Sequence, residues 1–184
     1  MKKRLIPLLG ICLILLSLAL LASFQLRRKT DAAHTGKIAE KMEILLPERT
    51  PAGIRSGEDM PVLEIDGRDY VALVEVPAFG LALPVADQWD SRTLSRFSGS
   101  AYGNTLVIGG PDHPKQLGFC AQIDPGAPIT VTDMTGGQLA YTVIRVDRSK
   151  NADAEWLQDT AFDLTVFCRD TLSSDYIAVR CRLR

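Results

Sequence analysis

Histidine is almost missing from this chain of 184 residues: His34 and His113 are its two copies. Two are too few for a His-rich metal centre, and neither a CxxC nor an HExxH motif occurs, so no metal is expected. A phosphate-binding loop is lacking too. Gly109-Gly110-Pro111 has no following lysine and no following helical pattern. No internal repeat and no alternation of strand and helix signals point to a nucleotide fold, and no cofactor is expected. A large excess of one charge is absent as well, with 21 Lys and Arg against 22 Asp and Glu, net −1. Nothing there favours a polyanion, so no nucleic acid is expected as partner.

Cysteine is sparse, at Cys12, Cys120, Cys168 and Cys181. Cys12 falls in an apolar N-terminal run, which leaves three for the body. An odd number argues against a complete disulfide framework; one bridge with one free thiol stays open, and a Cys168–Cys181 bridge across the last hairpin is conceivable.

What the chain does have, first, is a run without charge from Leu5 to Phe24. At 1.5 Å per residue, twenty helical residues reach roughly 30 Å, the thickness of a bilayer core. Three basic residues flank it on each side. The expectation is an uncleaved transmembrane helix, with residues 1–29 as membrane anchor and the rest outside. Residues 30–60 then read as stalk helix and linker. Ile38, Met42 and Leu45 recur at helical spacing, and the Pro- and Gly-rich stretch 47–60 follows.

Residues 61–184 carry strand signals. Val62–Ile65 and Tyr70–Val76 flank Asp66-Gly67, a hairpin turn dipeptide. Thr105–Ile108, Ile129–Val131 and Ala140–Val146 are further apolar runs, the last two separated by Asp133-Met-Thr-Gly-Gly. Gln88–Phe97 reads as a short helix and Asp153–Gln158 as one helical turn. The chain closes on Phe162–Phe167 and Tyr176–Arg182 around a polar, turn-prone loop. Six to eight short strands with short helices predict an all-β barrel or sandwich.

The order of these pieces resembles the sortases, membrane-anchored cysteine transpeptidases of Gram-positive bacteria, class B-like or a related small form. Apart from the anchor and linker, the resemblance rests on four stretches. These are Val76-Pro-Ala-Phe-Gly-Leu-Ala-Leu-Pro-Val85, Tyr102-Gly-Asn-Thr-Leu-Val-Ile-Gly-Gly110, Gly126-Ala-Pro-Ile-Thr-Val131, and Leu164-Thr-Val-Phe-Cys168 followed by Ile177-Ala-Val-Arg-Cys-Arg182. The resemblance implies a sortase-like eight-stranded β-barrel on the outer face of the cytoplasmic membrane. It also implies a thiolate that attacks a sorting-signal peptide, a histidine that moves protons and an arginine that steadies the substrate.

The motif positions depart from that pattern. Pro111 stands where the histidine is expected, and His113 is the substitute two residues on. Tyr176 stands at the arginine position and carries no positive charge near neutral pH. The nucleophile has two registers. Counted from Leu164, its place falls on Arg169; counted from the thiol itself, it is Cys168, with a longer loop after it. A one-residue shift along a strand turns a side chain to the other face.

Three functional readings follow from the resemblance. The first is a membrane-anchored, extracytoplasmic sortase-family domain with weak or lost transpeptidase activity. The second is an active diverged sortase that uses a Cys168 thioester and passes the peptide to a cell-wall or pilin amine. The third is a non-catalytic peptide-binding or pilus and envelope assembly protein.

Overall fold

Turn chemistry starts the body. Asp66 and Gly67 both adopt positive φ, 53° and 76°, which matches the twist of two flanking strands. They join β2 (Leu63–Ile65) to β3 (Arg68–Val76) after a two-residue strand β1 (Thr50–Pro51). A 3-10 turn, Pro77–Phe79, leads into β4 (Leu81–Ala86), and β5 (Leu94–Arg96) and β6 (Leu106–Gly110) follow. After the 3-10 turn Leu117–Ala121, β7 (Pro128–Asp133) and β8 (Gly137–Ser149) form the second expected hairpin. Asp133 builds its turn, Oδ1 accepting from the backbone N–H of Thr135 and Gly137 at 2.9 and 2.8 Å. A short helix α2 (Ala154–Leu157) is capped by Asp153, whose Oδ1 accepts from Trp156 N–H at 2.8 Å. Strands β9 (Leu164–Arg169) and β10 (Tyr176–Leu183) end the chain. This computed structural model describes residues 2–51, 60–89, 92–96 and 105–184, with side chains from 12–23 and from 35 onward within those ranges.

Pairing closes a ring. In order around it run β3, β4, β5, β6, β9, β10, β8 and β7, and β7 returns to β3. Closure removes the edges that an open sheet would expose. The eight-stranded barrel with short helices is therefore as expected, while β1 and β2 are additions on the outside of the ring. Alternation fills the interior. Leu164, Val166 and Cys168 of β9 and Ile177, Val179 and Cys181 of β10 lie in one buried cluster with Val74, Val85, Ile108 and Val143.

Two corrections follow. The short helix expected at Gln88–Phe97 is not formed where it is described, because Leu94–Arg96 is strand β5. Asp90, Ser91 and Phe97 lie outside the described residues. Leu94 is fully buried, and β5 pairs with Val85 on one side and Gly109 on the other, so tertiary pairing overrides the local helical pattern.

The transmembrane anchor is the second. Residues Lys2–Leu45 form one helix, α1. Among the described residues no helix is long and apolar enough to cross a membrane. That finding overturns the transmembrane helix, the cytoplasmic membrane as a partner through residues 5–24, and the single-pass cell-membrane location with an extracytoplasmic C-terminal domain. The membrane-anchored form of the first functional reading goes with them.

The chain divides into two compact units, Met1–His34 and Thr35–Arg184. Within the second, the end of α1 buries Ile38, Ala39 and Met42 against Ile65, Tyr70 and Leu73. The spacing is that of one helical face.

Candidate functional site

Strands β6 and β9 run parallel and stop together, Gly110 level with Cys168, and β10 starts opposite that end with Tyr176 level with Arg169. Side-chain alternation then decides what each face receives. Thr165, Phe167 and Arg169 leave β9 on the outside of the barrel, and Tyr176, Ala178 and Arg180 leave β10 on the same side. Along this outer face lies a groove of about 430 Å³ lined by Trp89, Gly110, Pro111, Asp112, Arg169 and Tyr176, with Phe167 and Leu157 beneath. That volume suits a small ligand or a short peptide segment.

Trp89 forms one wall. It stacks on Phe167 with ring centroids 6.2 Å apart and planes 4° from parallel, and stays 54% exposed. The stack requires Gly109: a Cβ there would meet the Phe167 ring at 2.6 Å and the Trp89 ring at 2.7 Å. Arg169 lies across Tyr176, its guanidinium carbon 5.7 Å from the ring centroid, while its Nε donates to the Ser174 carbonyl at 3.2 Å.

The two loops beside the groove are fastened together. Asp112 Oδ2 accepts from both the backbone N–H and the Oγ1 of Thr171, at 3.0 and 2.9 Å. The loop after β6 is thereby fastened to the loop after β9. Asp170 organises that second loop through Oδ1, which accepts from Leu172 N–H at 2.8 Å. This bond, with Arg148 behind it, holds the Asp170 carboxyl below its ordinary range.

Cys168 lies elsewhere. It is 1% exposed inside the barrel, in one cluster with Cys120 and Cys181. Burial, and after it the adjoining Cys168 thiol, pushes Cys120 well above the usual thiol range; burial alone takes Cys181 to about 12. All four cysteines are free. In the hairpin register Cys168 faces Ile177 and Cys181 faces Leu164. The two cysteines are thus four residues apart along the ladder, roughly 13 Å against a Cα limit of about 7 Å for a bridge.

His113 is half-buried in the loop after β6 and is not among the residues lining the groove. Its Nδ1 accepts from Lys115 N–H at 3.2 Å, and its carbonyl accepts from Gln116 and Gly118 N–H at 2.8 and 2.9 Å. Of the five sequence candidates, the fold brings Pro111, Arg169 and Tyr176 together in the groove, Cys168 goes to the core, and His113 to the loop. Among the described residues no cluster of His, Cys, Asp or Glu is arranged to hold a metal.

A larger hollow, about 730 Å³, lies beside α2 around Trp156, Asp147 and Arg180. Its central charge is fully engaged. Arg180 is 1% exposed, and its Nε donates to Asp147, its Nη1 to Leu157 O and Thr165 Oγ1, and its Nη2 to Trp156 O. The guanidinium also lies under the Trp156 ring at 4.7 Å. Arg180 holds the segment that supplies Leu157 to the groove, so its role is architectural.

Trp89 and Asp112 belong to the groove without any motif marking them. Asp112 acts across 59 residues of chain, a distance no local pattern reveals. Phe167 was findable by parity, as it lies two residues from Arg169 on one strand.

No family model matches the chain, and no curated protein matches it. Solved structures do. Sortase A from Corynebacterium diphtheriae is 19% identical, with a TM-score of 0.56, over 85% of this chain and 84% of that one. Sortase C1 from Streptococcus agalactiae is 17% identical, with a TM-score of 0.58, over 66% of this chain and 71% of that one. A Clostridium perfringens sortase D5 transpeptidase is 17% identical, with a TM-score of 0.56, over 63% and 79%. Likeness at these identities concerns the backbone: the chain shares the β-barrel fold of these sortase structures.

Proposed function

We propose that this protein is a non-catalytic, sortase-fold binder of peptides, in which the groove beside β9 and β10 holds an extended segment without cleaving it. One observation carries the reading: the end of β9 turns Arg169 into the groove and Cys168 into the barrel, where it is 1% exposed. A thiol attacks an amide as thiolate, next to a base or cation and within reach of the carbonyl. Cys168 is instead packed among aliphatic side chains and the other two thiols, Cys120 and Cys181.

The rest of the groove supports the same reading. Pro111, which has no titratable side chain, lines it at the place the resemblance gives to the proton-moving histidine. Tyr176 lines it at the place given to the arginine. In this reading Arg169 occupies the nucleophile's place, so all three roles are lost at their expected positions. Trp89, Tyr176 and Arg169 become binding groups.

The test is incubation of the protein with a sorting-signal-type peptide and an amine acceptor, followed by intact-mass analysis. No thioester adduct and no transfer product are expected, and Cys168→Ala leaves the result unchanged. An adduct that forms on the wild type and disappears in Cys168→Ala overturns the reading.

A further inference from the structure

We infer that the groove reads the free C-terminal carboxylate of its peptide, held by the two Nη groups of Arg169, with the last side chain lying against Trp89. The inference rests on the peptide-binding reading above and specifies its ligand.

Arg169 is exposed, yet it is held in place. Its Nε–H is used by the Ser174 carbonyl and its plane lies near the Tyr176 ring, 5.7 Å from the centroid. Its Nη1 and Nη2 donate to no residue described in the structure. A guanidinium fixed through Nε and a ring presents the remaining donors as a fork, the geometry that matches a carboxylate with two parallel hydrogen bonds.

Neither neighbouring acid accepts a hydrogen bond from it. Asp112 Oδ2 is taken by Thr171 N–H and Oγ1. Asp170 Oδ1 accepts from Leu172 N–H, and its Oδ2 pairs with Arg148 Nη1 at 3.2 Å. A guanidinium whose Nη groups bond no described residue thus borders a wall made of the Trp89–Phe167 stack and Leu157. One anionic group joined to one apolar side chain complements that surface.

A chain end fits better than an internal acidic residue because of where Arg169 lies. Strands β6 and β9 both stop beside it, and the Asp112–Thr171 clamp ties together the loops that follow. A ligand chain running along the groove meets these joined loops as it reaches the guanidinium.

The experiment uses the full chain and a library of random hexapeptides, each sequence made as the free acid, as the C-terminal amide, and as the amide with one internal Asp. Binding is read by surface-immobilised titration. Free acids with an aromatic or aliphatic last residue are expected to bind at least about tenfold tighter than their own amides, the range of a charge-assisted pair. Arg169→Gln is expected to remove that difference, while Trp89→Ala keeps the difference and loses the side-chain preference, which also shows that the groove still folds. Acids and amides that bind alike overturn the carboxylate inference and leave the peptide-binding reading standing. Amides with internal Asp that match the free acids overturn the chain end as the ligand. If no peptide binds in any form, both fall.

Discussion

Cys181 shows how a single residue ties core packing to solution conditions. Its thiol is buried in the barrel, and burial moves its pKa from 9.0 to about 12. In the unfolded chain the same thiol ionises near its ordinary value. Between pH 9 and about 12 the unfolded state therefore binds fewer protons than the native one, and stability falls as pH rises through that window. Below pH 9 both states keep the proton and the group is silent. Urea midpoints of the wild type should accordingly drop more steeply from pH 9 to 11 than those of Cys181→Ser; equal slopes would refute the account. Cys120 contributes in the same direction, raised first by burial and then by Cys168. Cys120 and Cys181 thus act as small core side chains whose neutral form burial favours.

The closing hairpin, taken as an element, owes its shape to bonds at both ends of its loop. Within it, Asp170 N–H donates to Asp175 O and Ser174 N–H to Asp170 O, at 2.8 and 3.0 Å. Across it, Asp112 holds Thr171. Replacing Asp112 by Ala removes the acceptor of two donors on an exposed loop, a loss of about 1 kcal/mol. Hydrogen exchange at the Thr171 amide should then accelerate several-fold, with the β9–β10 ladder amides unchanged. Ladder amides that accelerate equally would mean that the clamp supports the whole hairpin and not its loop alone. A rigid loop suits a preformed binding groove, since ligand binding then loses less conformational entropy.

For the whole molecule the governing feature is closure. Eight strands share one interior, so the groove's outer face and the core's inner face are the two sides of the same β6–β9–β10 ladder. The end of α1 adds a second, smaller core on the outside of β3 and β4. Met42 is fully buried there with Tyr70 and Leu73. Truncating Met42 to Ala should lower stability by roughly 3 kcal/mol through lost burial and an unfilled cavity. The urea transition should shift as one step. An unshifted midpoint, or a separate early step, would show that the helix end folds apart from the barrel.

Local chemistry alone determined most of the strands, the hairpins and an all-β barrel or sandwich, without choosing between the two. Alternation in Leu164–Phe167 and Tyr176–Arg182, positive-φ turn residues at Asp66-Gly67 and the capped turn at Asp153 are legible without any distant partner. Alternation also showed that Cys168 and Arg169 must face opposite ways. It left open which of the two faces the interior. That choice belongs to the closed barrel, where β10 and the 3-10 turn carrying Cys120 surround one side of β9 and leave the other side to Trp89 and α2. Strand β5 is the same lesson in reverse: its local pattern reads as helix, and ladder bonds from β4 and β6 make it a strand. Asp112 and Trp89 enter the groove through contacts with Thr171 and Phe167, remote in sequence, and the tertiary structure alone brings such groups together.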